Sequence, residues 1–307
     1  MPSPPTVVGL GEILWDLLPS GRQLGGAPAN FAYCSHLLGS RAVVASRVGN
    51  DQLGEEIRAT LTREGISDEF IQCDPVHPTG TVHVQIDETG QPNFEILQPV
   101  AWDFLEWTPV WRRLASSAGA VCFGSLGQRS PASRRTIIEF LDATTPDSLR
   151  IFDVNLRQDF YSAETITESL KRASVLKLNH EEVPKIRELL AMEAGSARAA
   201  GDELAFCRAL MDRFALRLVC VTRGNRGSLL CDSRGFDEHA GFQVRVKDTV
   251  GAGDAFTAGL VHGLMQGKSL NDLNQGANRM GAWVASQAGG MPRVPETGLQ
   301  EALMTVA

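Results

Sequence analysis

Near-continuous apolar runs recur along this chain and limit its fold more than any other feature. "TVVGLGE" (Thr6–Glu12), "RAVVASRVG", "GAVCFGS", "LRIFDVN", "SVLKLN" and "LRLVCVTRG" are each short enough for one strand, and helical patterns lie between most of them. Strands without polar alternation are buried on both faces, and helices between them supply the crossovers of a parallel sheet. "GAPANFAYCSHLLG" (Gly26–Gly39) predicts a helix with Pro28 in its first turn and Gly39 as its stop. "DQLGEEIRATLTREG" predicts another, closed by Gly65. "TGTVHVQIDETGQPNFEILQ" (Thr79–Gln98) breaks the rhythm. It alternates polar and apolar residues around a Gly-containing turn, as a half-exposed antiparallel hairpin does. With a strand at Ile13–Leu18, it predicts a small second sheet acting as a lid. "AMEAGSARAAGDE" (Ala191–Glu203) predicts a helix end and surface connector.

The 307 residues suffice for one large α/β domain or two ordinary ones. A net charge of −7 argues against a generally basic, nucleic-acid-binding surface. Six cysteines occur at irregular gaps without a C-x-x-C pair, which predicts buried thiols rather than a disulfide framework or zinc site. The first residues lack the basic region and apolar run of a signal peptide, and no stretch approaches the ~18 apolar residues of a membrane span. The expectation is a cytoplasmic protein without membrane or nucleic-acid partners.

"DTVGAGDAF" (Asp248–Phe256) places Gly251, Ala252 and Gly253 directly before Asp254 and a helical pattern. Glycine lets backbone N–H groups converge, and a helix start favours anions. One reading is an anion cradle followed by a carboxylate, which the helix end keeps ionised, that takes a proton from an attacking hydroxyl. The other is an ordinary strand-to-helix loop with an Asp cap. Ala255, Gly259 and Gly263 form a smooth stripe on that helix, which predicts close packing against the sheet.

Four other stretches allow two readings each. In "LGGAPAN", Gly25 and Gly26 either expose backbone to a ligand beside Asn30, or form a tight turn. In "GEILWD", Asp16 either accepts hydrogen bonds from vicinal hydroxyls or is a strand-end surface residue. In "NHEE", Asn179 and Glu182 either organise water around a phosphate-bound Mg²⁺ or form a helix-capping pair. In "VTRGNRG", Thr222, Gly224 and Gly227 either lie under a nucleotide or form a plain hairpin. A Walker-type phosphate loop and a full dinucleotide fingerprint are absent.

Together these stretches resemble the ribokinase-type (PfkB) carbohydrate kinase family. "GGAPANFAYCSHLLG…G" (Gly25 to Gly49) and "DTVGAGDAFTAGL" (Asp248–Leu260) are similar to its two signatures, in the expected order and separation. The resemblance implies a ribokinase-like three-layer α/β/α sandwich spanning 1–307, with a mainly parallel central sheet. It implies a small β-sheet lid from about 12–24 and 76–105, and pairing of two copies through their lids. By resemblance, Asp254 is the catalytic base and Gly251, Ala252 and Gly253 the anion hole. Asp16, Gly25, Gly26 and Asn30 match sugar-binding positions. Asn179 and Glu182 match an N-x-x-E element for Mg²⁺ and ATP. Thr222, Gly224, Gly227 and Asn278 match nucleotide-side positions. "GEILWDLLP", "AWDFL" (Ala101–Leu105) and "FDVNLRQDFYS" (Phe152–Ser162) are most similar to fructokinases, with Trp102 on the sugar side and Arg157 near the sugar or phosphate.

From Glu64 to Trp111 there is no Lys or Arg. A sugar acid or phosphate would call for such residues, whereas carboxylates and amides suit neutral hydroxyls. Arg22 and Arg157 are the cations that could still reach the sugar. The expectation is ATP-dependent phosphorylation of a primary hydroxyl of fructose. The rivals are a kinase for 2-keto-3-deoxygluconate, ribose or a nucleoside, and a non-catalytic sugar-binding regulator on the same fold. Asp248 and Val250 border a site where relatives bind a monovalent cation such as K⁺. Arg293 stands where a small residue is common, and either displaces that cation or points away.

Overall fold

The strand β1 (Thr6–Leu10) is buried along its whole length, and its neighbours extend from it in both directions. The computed structural model describes residues 5–18, 21–86, 92–192 and 200–306. Strands follow in chain order as β2 (Leu14–Leu18), β3 (Gly21–Gly25), β4 (Arg41–Gly49), β5 (Ile71–Asp74), β6 (Gly80–Ile86) and β7 (Pro92–Ile96). Then come β8 (Ala118–Phe123), β9 (Leu149–Asp153), β10 (Val175–Asn179), β11 (Leu218–Thr222), β12 (Ser228–Asp232) and β13 (Gly235–His239). The large sheet has the order β13-β12-β11-β10-β9-β8-β1-β4-β5. Pairing is parallel from β11 to β5, and the β12–β13 hairpin closes one edge antiparallel.

Helices cover both faces, as the apolar strands require. One face carries α1 (Ala27–Leu37) and α2 (Gln52–Arg63). The opposite face carries α3 (Pro109–Ser117), α4 (Pro131–Asp142), α5 (Ala163–Arg172), α6 (Glu182–Leu189) and α7 (Ala200–Phe214). The chain then returns to the first face with α8 (Ala252–Met265), α9 (Leu270–Ala285) and α10 (Leu299–Met304). Val7 points into one core and Val8 into the other, the period of two that a doubly covered strand imposes. The predicted strands and first two helices are all present. The connector foreseen over Ala191–Glu203 is shorter than expected, because α7 already starts at Ala200; 193–199 lie outside the described residues.

The second sheet has the order β3-β2-β6-β7. It is mixed: β2 runs antiparallel to β3 but parallel to β6, with Leu14 opposite both Gly25 and Gly80. The turn between β6 and β7 (87–91) lies outside the described residues. Side chains from the large sheet's connections anchor the ends of this sheet. The Asp51 carboxylate accepts from Thr79 Oγ1 at 2.6 Å and from Thr79 N at 2.8 Å. Arg129 grips Asp103 with two nitrogens at 2.7 and 2.8 Å while its guanidinium lies 3.9 Å over the Trp102 ring.

Two expectations need correction. The stripe Ala255–Gly259–Gly263 was expected to approach the sheet, yet its glycines face α9: a Cβ on Gly259 would stand 3.0 Å from the Ala277 Cα. The cysteines are free and buried except Cys73, which is exposed on β5. Among the described residues, no helix is long and apolar enough to cross a membrane.

Candidate active site

Gly251 is the hinge of the site. It takes φ 76°, the left-handed region that favours glycine, and α8 starts at the next residue. A Cβ there would also lie 2.4 Å from the Gly290 Cα, so a second loop presses against it. Asp248 ties the two loops together, accepting from Val250 N and Gly289 N, both at 3.0 Å. The N–H groups of the first turn of α8 have no intrahelical acceptor and carry the positive end of the helix dipole. Asp254 is the third residue of that turn.

Asn30, buried on α1, donates from Nδ2 to Asp254 Oδ2 at 2.8 Å. The two signatures thus meet across 224 residues of sequence. Asn30 Oδ1 is buried without a partner. Asp254 keeps partial exposure, yet its acidity moves opposite to the sequence-based expectation. Burial pushes its pKa up to about 6, and Asp153 adds to the rise against the opposing effects of Asn30, Lys177 and Arg157. Desolvation here outweighs the helix end.

Asp16 on β2 lies against Gly25, where a Cβ would come within 2.3 Å of its Oδ2. Gly26, at φ 103°, lets the chain pass the Glu12 carbonyl before α1 begins. Burial raises Asp16 to about 6, opposed by the charge of Arg157. Arg157 is exposed in the loop after β9, between Asn155 (φ 44°) and Gln158 (φ 47°). Its charge acts on Glu12, Asp16 and Asp254 together. Arg22, the other cation near this sheet, is drawn away into an ion pair with Glu56 and lies 5.2 Å over Trp15.

The residues expected on the nucleotide side, Asn278 apart, gather where the β10 and β11 strands end. Thr222 closes β11, and its carbonyl accepts from His180 N at 2.8 Å. Asn179 and Glu182 form the reciprocal capping pair. Asn179 Oδ1 accepts from Glu181 N and Glu182 N at 2.9 and 3.0 Å, and Glu182 Oε2 accepts from Asn179 N at 2.8 Å. Glu182 Oε1 accepts from Leu156 N at 2.8 Å. Each carboxylate oxygen thus already holds a backbone donor. No three ligating side chains form a metal cluster among the described residues. This donor set fits an ion that keeps its waters and phosphate ligands, with Glu182 outside them, better than a protein cage. "VTRGNRG" is a hairpin: Gly224 and Gly227 bound a short turn, and a Cβ on Gly227 would collide with the His239 carbonyl at 1.8 Å.

Two residues sit differently from their sequence-based placement, and a third takes one of its two expected orientations. Trp102 is fully buried in the core behind the small sheet, with Nε1 unpaired and no surface left for a sugar. Asn278 is also buried, donating to Ser228 Oγ at 2.7 Å and to the Asn274 carbonyl at 2.8 Å, so it stabilises the α9–β12 contact instead of facing an adenine. Arg293 points away from Asp248, into a surface recess of about 400 Å³ with Tyr33, His36 and Glu64.

Sequence reasoning missed Glu12, Asp153 and Lys177. Glu12 follows β1, is buried with Oε2 unpaired, and is pushed up to about 7 by burial and then by Asp254. Lys177 and Asp153 face each other in register on β10 and β9, with Nζ 3.0 Å from Oδ1. The available signal was a charge inside an otherwise apolar strand, in "SVLKLN" and "LRIFDVN".

With this geometry in place, comparison with known proteins is decisive. The family model described as pfkB family carbohydrate kinase matches residues 21–297. This chain belongs to the pfkB family of carbohydrate kinases. The kinase is 32% identical to a fructokinase of Escherichia coli, covering 93% of this chain and 95% of that one. It is 31% identical to a fructokinase of Salmonella typhimurium, over 86% of each chain. The solved Vibrio cholerae fructokinase, in its fructose-, ADP- and calcium-bound form, matches with a TM-score of 0.80 at 28% identity over 98% of both chains. A Pyrococcus horikoshii sugar kinase matches with a TM-score of 0.80 at 28% identity, over 94% of this chain and 95% of that one. The ribokinase-like sandwich expected from sequence is therefore the fold of this kinase, and its activity class is sugar phosphorylation.

Proposed function

We propose that this kinase transfers the terminal phosphoryl group of ATP to a primary hydroxyl of fructose. The carrying observation is Asp254, held by Asn30 at the glycine-started N-terminus of α8 and ionised at neutral pH with a pKa near 6. A base in that range is strong enough to take a hydroxyl proton in the transition state and still be free of its own proton. The N–H groups of Gly251 and Gly253, and that of Ala252 if it leaves the Thr249 carbonyl 3.3 Å away, meet the charge that develops on the phosphoryl oxygens. Asp16, Gly25, Gly26 and the open Oδ1 of Asn30 accept and orient sugar hydroxyls. Arg157 balances the three acids of the sugar side.

Thr222 and Gly224 lie beside the nucleotide at the strand ends, and Asn179 and Glu182 shape the turn next to its phosphates. Mg²⁺, when bound, neutralises phosphate charge there. Asp248 and Val250 frame the loop at which K⁺ would bind, and Arg293 leaves that loop clear. The small sheet serves as the lid of one kinase domain, closing over the sugar and excluding competing water. The test is a sugar panel with ATP and Mg²⁺, read by ADP release. Fructose is expected to give the highest kcat/KM. Turnover of a sugar acid with none of fructose would overturn the assignment.

A further inference from the structure

Beneath the catalytic turn lies a buried charged chain that none of the roles above uses. Lys177 Nζ donates to Asp153 Oδ1 at 3.0 Å, and Thr257 Oγ1 lies 3.0 Å from Asp153 Oδ2. The same hydroxyl is 3.0 Å from the Gly253 carbonyl, one turn back on α8. Lys177, Asp153 and Thr257 are all buried. The ammonium also lies 3.1 Å from where a Cβ on Gly253 would be, so it fills the space under the turn. A buried ion pair is a poor source of stability, since an apolar pair of similar size commonly does as well or better. Its position under Gly253 and Asp254 therefore asks for another reason.

We propose that Lys177 is a positioning residue for phosphoryl transfer, holding the turn of Gly253 and Asp254 from below through Asp153 and Thr257. The inference rests on the roles assigned above to Asp254 and the Gly251–Gly253 turn. The ammonium fixes Asp153, and the Thr257 hydroxyl, 3.0 Å from both Asp153 Oδ2 and the Gly253 carbonyl, shares its one proton between these two acceptors and so ties the turn to the ion pair. That chain sets where the anion-binding N–H groups point. The ammonium also adds a fixed, buried positive charge behind them, which water screens little. Around Asp254, the groups that matter come from every packed element: Asp153 on β9, Lys177 on β10, Cys122 on β8, Glu12 after β1, Arg157 after β9, and Asn30 and Cys34 on α1. Lys177 favours the ionised base and Asp153 opposes it.

The experiment compares Lys177→Met, Asp153→Asn and Asp254→Asn with the unaltered kinase, by steady-state kinetics across pH. Lys177→Met is expected to lower kcat about tenfold, a fraction of what loss of a direct oxyanion donor costs. KM for the sugar should stay within about twofold, because the chain lies away from the hydroxyl-binding side. The acid limb of kcat should move to higher pH in Lys177→Met and to lower pH in Asp153→Asn. A residue that only filled space would not give opposite shifts. Any other result from a folded Lys177→Met overturns the proposal. If that variant fails to fold, Asp153→Asn decides alone: a downward limb supports the proposal, and an unmoved or upward limb sinks it. Asp254→Asn separates the two levels. Lost turnover there beside an unaffected Lys177→Met refutes only the positioning role, whereas retained turnover refutes the base itself.

Discussion

The proposed sugar side and the proposed nucleotide side of this kinase both display conspicuous polar residues, but in opposite states. On the sugar side, Asp254, Asp16 and Glu12 are carboxyls raised to about 6, 6 and 7, each by burial first. Asn30 Oδ1 and Glu12 Oε2 there lack partners. On the nucleotide side, both oxygens of Glu182 hold backbone N–H groups, and Asn278 is tied into the Ser228–Asn274 network. Groups whose hydrogen-bonding capacity is filled by the protein hold shape. Groups left open cost solvation, and beside a site, unlike Trp102 Nε1 inside the core, they are candidates for a substrate contact. Residue type alone does not distinguish them, since both sides use Asn and acids.

The sharpest break in that comparison is Asp254→Asn. It keeps the size of the side chain and removes the proposed base, so kcat should fall by about 10³-fold or more while sugar binding stays measurable by calorimetry. The unaltered kinase should lose kcat as pH falls through about 6, because the protonated carboxyl can no longer accept the hydroxyl proton. A flat profile from pH 5 to 8 would remove Asp254 from that role.

Glu12→Gln probes an open carboxyl through stability. A folded pKa of about 7 against the usual 4.5 means that the native state holds the proton more tightly than the unfolded chain. The stabilising contribution is full below about 4.5 and disappears as pH rises through about 7. Above that pH the buried charge costs on the order of 3 kcal/mol relative to the neutral acid. Glu12→Gln should therefore raise Tm at pH 8 and leave it nearly unchanged at pH 4. An equal change at both pH values would show that Glu12 is not a buried acid of this kind.

Asn278→Ala tests the filled side. It leaves Ser228 Oγ and the Asn274 carbonyl short of a side-chain donor, while Asn274 Oδ1 still accepts from Ser228 Oγ, at a cost of about 2 kcal/mol. Urea unfolding should report that loss while KM for ATP stays put. A clear rise in KM without loss of stability would return Asn278 to the nucleotide. Its case also shows where the sequence stopped being informative. The parallel sheet was legible because strand burial is written in every apolar run, whereas the turn before Asp254 also reads as an ordinary capped loop and stood out only beside the second signature at Gly25. Asn278 and Trp102 carry the right atoms for ligand contact, but burial decides their use, and burial is set by α9 against β12 and by Arg129 over the indole. Lys177 and Asp153 failed in the reverse direction: they were hidden in strands that looked wholly structural, and only the register of β9 with β10 brings them together.

The smallest effect belongs to Asp16→Asn, and it bears directly on which kind of group meets the sugar. The carboxylate offers two acceptors with charge, and the amide offers one without it, so KM for fructose should rise about tenfold with kcat nearly kept. Arg157 opposes the burial of Asp16, so the charge persists above about pH 6 in the free enzyme. Lowering the pH through that value should therefore raise KM in the unaltered kinase but leave it flat in Asp16→Asn, because the amide has no proton to gain. If both proteins lose affinity in parallel, the titrating group is Glu12 or Asp254, and the open acids act on the sugar as one coupled set rather than one by one.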